Sequence, residues 1–172
     1  MGGRLLLNSL GGLLNRPEDQ AYLHEIHRDT HYPEYDFPLM VNAILALDDF
    51  TPESSATYLL SGSHRQLAKP TDQLFFAQAD RLAVPRGSVV FFDSRIWHCA
   101  GKNQTPRPRR ALTFTFTRCF VKQQMDYPRL LGEEFAHRLP ARVRELIGYD
   151  SRVPSTLEEW YQPVDKRLNR TI

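Results

Sequence analysis

Apolar and polar residues alternate along much of the chain up to residue 120, which is the pattern of β-strands with one buried face. The clearest example is Ala111–Phe120, where threonines alternate with leucine and phenylalanine. Shorter apolar runs bounded by Gly, Pro, Ser or Asp predict further strands. The predicted strands are Arg4–Ser9, Tyr22–Asp29, Leu39–Leu47, Ala56–Leu60, Ala79–Val84, Ser88–Phe92 and Ala111–Phe120.

Towards the C-terminus the pattern becomes helical. Pro140–Ile147 predicts a short helix, because proline suits a first turn and Gly148 follows the end. Ser155 and Glu158 have the spacing of a capping box for a last helix through Tyr161. Short strands between turns, followed by short helices, predict a mainly β fold in which two packed sheets form a jelly roll.

Composition is that of one folded domain. With 172 residues, we expect residues 1–172 to form a single jelly-roll domain and residues 128–172 to be its helical extension. The net charge of +2 and the lack of a long basic stripe argue against nucleic-acid binding. The apolar run near residue 5 is too short to cross a membrane. Cys99 and Cys119 suggest no disulfide framework, so we predict reduced thiols in a cytoplasmic protein.

The segment His27-Arg28-Asp29 and the distant pair Trp97-His98 carry the candidate chemistry. On a strand, residues two apart point to the same side, so His27 and Asp29 can face one cavity. Two histidines and one carboxylate can occupy one face of an iron(II) ion and leave the opposite face open. We therefore predict that His27, Asp29 and His98 bind one divalent metal.

Two other interpretations of these histidines are open. His24, His27 and His31 are spaced three and four apart, so on a helix they would share one face and could bind zinc. Pro33 and the neighbouring β-branched and aromatic residues favour a strand over that helix. Alternatively, the histidines lie on a solvated loop and bind nothing.

Several motifs occur in an order and spacing that resemble the phytanoyl-CoA dioxygenase family of Fe(II)/2-oxoglutarate enzymes, including its ectoine-hydroxylase relatives. They are His27-Arg28-Asp29-Thr30, Leu47-Asp48-Asp49-Phe50-Thr51, Ser61-Gly62-Ser63-His64-Arg65, the run from Gly87 to His98, Asn103 and Pro108-Arg109-Arg110. The resemblance runs from about Arg16 to about Pro163. The chain departs from the family pattern in two turns: Ser54-Ser55 stands where Asn-Gly is usual, and Ser61 where proline is usual.

The resemblance implies a double-stranded β-helix with His27, Asp29 and His98 as iron ligands. It also implies that Arg109, eleven residues after His98, anchors 2-oxoglutarate. Asn42 lies where relatives often place a polar residue of the cosubstrate site, although a solvated strand face is equally open for it.

Arg109 and Arg110 alternate on one predicted strand. Arg110 shares a face with Leu112, Phe114 and Phe116, whereas Arg109 shares the other face with Ala111 and Thr113. Because a metal cavity must be polar, we predict that the Arg109 face points inward, with Thr113 adding a hydroxyl to the cosubstrate site.

The function implied by the resemblance is hydroxylation of a C–H bond of a small molecule, using Fe(II), 2-oxoglutarate and O2 and releasing succinate and CO2. Two alternatives are a cupin-like metalloenzyme that does not use 2-oxoglutarate and a truncated, non-catalytic jelly-roll binding domain. Only 26 residues precede His27, fewer than in the family. We therefore expect an uncovered barrel face, with an open pocket mouth or a homo-oligomer formed through that face.

Overall fold

The computed structural model describes residues 5–18, 24–30 and 37–168 of the chain. Within these residues the strands are β1 (Leu5–Asn15), β2 (Met40–Ala46), β3 (Tyr58–Leu59), β4 (Asp80–Arg81), β5 (Val89–Asp93), β6 (His98–Cys99) and β7 (Arg109–Arg118). The α-helices are α1 (Asp72–Gln78), α2 (Tyr127–Ala136), α3 (Ala141–Leu146) and α4 (Leu157–Trp160). Short 3₁₀ helices occur at Ser63–Arg65 and Val164–Lys166.

The strands form two sheets, with the orders β1-β7-β2-β5 and β4-β3-β6. β2 pairs antiparallel with β5, which places Asn42 opposite Phe92. β3 pairs antiparallel with both β4 and β6, which places Leu59 opposite His98. The short second sheet therefore carries one candidate metal ligand in its β6 strand.

Apolar side chains from both sheets meet in one buried cluster. Its buried members are Ile44, Ala46, Phe50, Ala56, Phe92 and Ala111, with Leu13, Leu59, Val84 and Ile96 packed against them. Two sheets that bury their facing sides against each other form the jelly-roll arrangement, so the predicted fold class is confirmed. A second cluster lies beside the short sheet and contains Ile26, Leu60, Phe75, Trp97 and Cys99.

Contacts along the chain group it into two compact units. One is Leu10–Phe114, which holds the second sheet, the central parts of the first sheet and all candidate metal ligands. The other combines Met1–Ser9 with Thr115–Ile172 and holds α2, α3 and α4. In that unit, the Asn8 amide donates to the carbonyl of Lys122 at 3.0 Å, and the Gln123 amide donates to the carbonyl of Leu7 at 2.8 Å. The expectation of a single domain with an extension from residue 128 stays a prediction.

The predicted strand Tyr22–Asp29 is wrong in its described part. His24 lies in a 3₁₀ turn, and His27 forms only an isolated bridge with His98. The ladder stops there because the amides of Asp29 and Thr30 both donate to the carbonyl of Ser94, at 3.0 and 3.2 Å. Residues 24–30 also form no α-helix, which removes the helical arrangement of His24 and His27 required for the zinc alternative; His31 lies outside the described residues.

β1 is longer than predicted, because it continues through Gly11 and Gly12 to Asn15. Gly11 lies against β7: a Cβ atom built there would be 2.8 Å from the hydroxyl of Thr113. The absence of a Cβ atom at Gly11 therefore allows a close approach between neighbouring strands. The other strands from residue 39 onwards are confirmed within two or three residues at most ends.

Helices were predicted less completely than strands. α3 confirms the helix at Pro140–Ile147. The capping residue of α4 is Thr156, one residue after the predicted Ser155, and its hydroxyl accepts from the amide of Glu159 at 3.2 Å. α1 and α2 were not predicted. Among the described residues, no helix combines the length and apolarity needed to cross a bilayer.

Candidate metal centre

His27, Asp29 and His98 converge at one place. One ligand atom from each lies within 4.8 Å of those of the other two. Nε2 of His27 is 3.7 Å from Oδ1 of Asp29, and Nε2 of His98 is 3.6 Å from Oδ2 of the same carboxylate. Two imidazole nitrogens and one carboxylate form a donor set that suits a first-row divalent metal. The structure therefore brings together all three residues that the sequence singled out as metal ligands.

Backbone hydrogen bonds hold the two histidines side by side. The amide of His27 donates to the carbonyl of His98 at 3.0 Å, and the amide of His98 donates back at 2.9 Å. Their rings are 4.3 Å apart, and the His98 ring also meets the edge of the Phe92 ring at 5.0 Å. A short bridge, rather than a regular strand, thus brings His27 into register with β6.

Both rings point Nε2 towards the carboxylate of Asp29. Nδ1 of His27 lies 2.7 Å from the carbonyl oxygen of Glu25, and Nδ1 of His98 lies 2.9 Å from that of Ile96. A carbonyl oxygen can only accept, so each Nδ1 carries a proton and a neutral ring leaves a lone pair on Nε2. Burial lowers the pKa of His98, despite the opposing effect of Asp29, which favours the neutral ring that a metal requires.

Asn42 lies next to the candidate metal ligands. It is buried on β2, and its amide donates to Oδ2 of Asp29. An amide in this place fixes the orientation of the carboxylate, which is how the groups behind metal ligands ordinarily act. Asn42 is thus neither on a solvated strand face nor remote from the site; its contact with cosubstrate stays a prediction.

Arg109 is buried on β7, and Arg110 is exposed, so the inward-facing side of the strand is as predicted. The Nε group of Arg109 donates to the Ser55 hydroxyl at 3.1 Å, and Nη2 donates to the Ser55 carbonyl at 3.0 Å. Nη1 has no partner among the described residues. The guanidinium lies 4.1 Å above the Phe50 ring, and burial lowers the pKa of Arg109 to about 10, which leaves it cationic at neutral pH.

Thr113 is four residues further along β7, on the same face as Arg109. Its hydroxyl donates to the carbonyl of Gly11 at 3.4 Å. Ala111 lies between them on that face and is fully buried. The structure thus places Thr113 on the predicted face, and its contact with cosubstrate stays a prediction.

Sequence reasoning missed Ser55 and Phe50 as the surroundings of Arg109. Both lie more than fifty residues before it, so local pattern does not reveal the contact. One signal was present: Ser54-Ser55 replaces the Asn-Gly that the resembling family usually has at this turn. This departure from the family pattern is the signal that could have drawn attention to Ser55.

Comparisons with known proteins agree with this geometry. An uncharacterized protein of Mycobacterium tuberculosis, Rv1501, is 43% identical over 150 residues, covering 87% of this chain and 55% of that protein. The iron/alpha-ketoglutarate-dependent dioxygenase ausU of Aspergillus calidoustus is 24% identical over 149 residues, covering 80% of this chain and 48% of that protein. The chain thus spans about half the length of the curated relatives it matches.

A solved structure and a family model extend the comparison. The epimerase SnoN, solved with Fe3+, alpha ketoglutarate and nogalamycin RO, superposes with a TM-score of 0.53 at 22% identity, covering 73% of this chain and 56% of that one. This likeness shows the shared jelly-roll fold. The model of the phytanoyl-CoA dioxygenase family matches residues 13–111, which include the three converging ligands and Arg109. The chain belongs to the phytanoyl-CoA dioxygenase family.

Proposed function

We propose that this chain is an Fe(II)- and 2-oxoglutarate-dependent dioxygenase that hydroxylates a C–H bond of a small molecule. The observation that carries the proposal is the convergence of His27, Asp29 and His98 within 4.8 Å. Arg109 follows eleven residues after His98 in the same unit, is buried, and has no hydrogen-bond partner for Nη1 within the described part of the chain. Such an enzyme needs ligands for the iron and a cationic side chain that binds the far carboxylate of 2-oxoglutarate.

In this proposal, His27, Asp29 and His98 hold the iron on one side. The carbonyl oxygens of Glu25 and Ile96 fix the protonated Nδ1 atoms, so both Nε2 lone pairs are available without a change of tautomer. Asn42 keeps the carboxylate of Asp29 from rotating. The protein therefore orients its ligands before the metal binds.

Arg109 is the residue proposed to bind the far carboxylate of 2-oxoglutarate. Its guanidinium is buried, charged and held against Phe50, and a charged donor in such surroundings discriminates strongly in favour of an anion. Asn42 and Thr113 are proposed to line the same cosubstrate site. Asn42 is buried on β2, and Thr113 lies on the neighbouring strand β7, where it alternates onto the same face as Arg109.

Iron bound by these residues would supply the oxidation, in which O2 and 2-oxoglutarate yield one inserted oxygen atom, succinate and CO2. The relative ausU is described as iron/alpha-ketoglutarate-dependent, and SnoN was solved with both groups and with nogalamycin RO. These descriptions support the choice of cofactors and of a small-molecule substrate. An intact Asp29 supports hydroxylation, because the carboxylate fills the position that chloride takes in related halogenases. We also propose a cytoplasmic location, supported by two cysteines without a disulfide.

The proposal is tested by adding Fe(II), then 2-oxoglutarate, to the protein under anaerobic conditions. We expect a weak visible charge-transfer band that appears only when both are present. The matched variant is Asp29→Ala, which should lose the band. On admitting air without substrate, slow release of succinate should occur in the wild type and not in Asp29→Ala.

Each failure has a distinct meaning. Protein that binds iron but shows no band and releases no succinate supports the cupin-like alternative without 2-oxoglutarate. Folded protein that binds no iron overturns the proposed function and leaves a non-catalytic jelly roll.

A further inference from the structure

Ser55 has a backbone conformation that serine rarely adopts. Its φ is 73°, and it is the only residue other than glycine with positive φ among residues 5–18, 24–30 and 37–168. Glycine adopts this region without steric cost, whereas a Cβ atom makes it unfavourable. A serine in this conformation points to a contact of its side chain that offsets the cost.

The turn itself does not use the hydroxyl of Ser55. Its neighbour Ser54 makes the turn contacts: the Ser54 hydroxyl donates to the carbonyl of Asp49 at 2.8 Å and accepts from the amide of Thr51 at 2.8 Å. The next amide, that of Ala56, donates to the carbonyl of Thr51 at 2.9 Å. The hydroxyl of Ser55 is thus left to serve another part of the protein.

That other part is Arg109, 54 residues further along the chain. Ser55 is completely buried, and it accepts from two adjacent nitrogens of the guanidinium, Nε through its hydroxyl and Nη2 through its carbonyl. One residue therefore occupies one whole edge of the guanidinium. The flat face is against Phe50, and Nη1, at the opposite end, has no partner among the described residues.

We propose that Ser55 is a positioning residue for the cosubstrate: it holds the Nε–Nη2 edge of Arg109, so that the end of the guanidinium carrying Nη1 meets the far carboxylate of 2-oxoglutarate. This inference rests on the proposed function. It differs from a purely structural role because the side chain of Ser55 carries a conformational cost at its own position and acts through Arg109.

Three variants separate the two roles. Ser55→Gly relieves the positive φ but leaves the buried Nε donor of Arg109 without the hydroxyl, so these two opposing effects should change the melting temperature only slightly. Binding of 2-oxoglutarate should nevertheless weaken: its dissociation constant should rise about tenfold, the effect of losing a hydrogen bond to a charged group. The constant is measured anaerobically on the Fe(II)-loaded protein through the charge-transfer band. Ser55→Ala keeps the conformational cost of the positive φ, so it should lower the melting temperature. It should weaken 2-oxoglutarate binding as much as Ser55→Gly does.

The matched control is Ser54→Ala, which removes the neighbouring hydroxyl and its turn contacts. It should lower the melting temperature and leave 2-oxoglutarate binding unchanged. A second readout needs no metal: the Nε proton of Arg109, followed by ¹⁵N NMR, should exchange with water faster in Ser55→Gly than in Ser54→Ala.

The outcomes distinguish this inference from the proposed function. Wild-type protein that binds 2-oxoglutarate, with Ser55→Gly binding it equally well, overturns the positioning role alone. Binding that weakens in Ser54→Ala as much as in Ser55→Gly also overturns it, since loss of the turn would then be the cause. Iron-loaded wild type that does not bind 2-oxoglutarate overturns the proposed function and this inference together.

Discussion

Arg109 and Arg110 are adjacent residues with opposite surroundings. Arg109 is 1% exposed and held by Ser55, whereas the side chain of Arg110 is 60% exposed and pairs with Asp48 at 2.7 Å. Arg109→Ala should therefore abolish saturable binding of 2-oxoglutarate. Removing one partner of a buried ion pair costs about 3–5 kcal/mol, which corresponds to a loss of roughly 10²–10³-fold or more in affinity. Titration of the charge-transfer band measures this loss.

Arg110→Ala is the control for that prediction. Arg110→Ala should bind 2-oxoglutarate as the wild type does, and its free energy of unfolding should fall by at most about 1 kcal/mol through loss of the pair with Asp48. The reverse result would mean that the inward and outward positions of β7 have been exchanged, which would also move Ala111 and Thr113 out of the site.

Asp48 makes part of the stability depend on pH. Hydrogen bonds from the side chain of Arg110, and then from its amide, lower the pKa of Asp48 from 3.8 to about 2. A lowered pKa means that the carboxylate stabilises the folded protein fully above pH 4, and that this contribution is lost as pH falls towards 2. Because the side chain of Arg110 is largely exposed, solvent screens the pair, and its contribution to the free energy of unfolding is about 1 kcal/mol.

Asp48→Asn should thus lower the free energy of unfolding in urea by about 1 kcal/mol at pH 6. The difference from wild type should shrink steadily between pH 4 and pH 2. Glu134→Gln, which removes one partner of an exposed pair with Arg138, should change stability little. A deficit for Asp48→Asn that is the same at pH 6 and pH 3 would show that another effect of the substitution is responsible.

At the scale of elements, the segment 24–30 is attached to β6 by the bridge between His27 and His98, and different side chains pack on its two sides. On one side lie the rings of His27 and His98. On the other, the guanidinium of Arg28 lies 4.0 Å above the ring of Trp97. Nη2 of Arg28 also donates to the carbonyl of Gln66 at 2.5 Å, while the amide of Trp97 donates to the hydroxyl of Ser63 at 2.9 Å. The Arg28–Trp97 stack therefore fastens the segment behind the metal ligands.

A double-mutant cycle with Arg28→Met and Trp97→Leu tests that attachment. Because Arg28 is buried, the stack should show a coupling free energy of about 1–2 kcal/mol in urea unfolding. The matched cycle pairs Arg28→Met with Phe75→Leu, a substitution in the same apolar cluster, and should be additive within about 0.5 kcal/mol. Additivity in both cycles would mean that the bridge alone holds the segment.

The sequence predicted those parts of the fold that local pattern controls. β7 was predicted from strict alternation, and β2 and β5 from apolar runs ending at turns. The bridge at His27 was not predicted, because it depends on a partner 71 residues away and on the carbonyl of Ser94 ending the ladder. α2 escaped prediction partly because Gly132, with φ 77°, interrupts its helical backbone.

For the candidate site, the metal ligands could be predicted and their supports could not. The convergence of His27, Asp29 and His98 was predicted correctly although the predicted strand is wrong, because the single bridge between His27 and His98 is enough to align these residues. The amide of Asn42 on Asp29 and the hold of Ser55 on Arg109 are tertiary contacts without a local signature. Such contacts depend on which strands and turns become neighbours in the folded chain, and the order of motifs in the sequence does not determine this.

At the scale of the whole molecule, the outer face of the four-stranded sheet is apolar where solvent-facing positions are usually polar. Outward positions of its edge strands are exposed: Leu10 and Leu14 on β1, and Val89 and Phe91 on β5. The side chain of Phe91 is 65% exposed. Contiguous exposed apolar residues are typical of surfaces that bind another molecule.

We expect a second copy of the chain to cover this face in solution, which is the homo-oligomer anticipated from the sequence. Burial of Phe91 and Val89 against a partner would remove their apolar area from water. Among the described residues β5 is also an edge strand of its sheet, and sheet edges are places where chains associate. Light scattering after size exclusion should show a dimer or larger species at tens of micromolar protein.

Phe91→Lys should convert this oligomer to monomer, because a buried lysine without a partner is costly. Val153→Lys, which places the same charge at an 84% exposed residue of the other unit, should leave the oligomer unchanged. A wild-type protein that remains monomeric at every concentration would show that the apolar face does not bind a second copy.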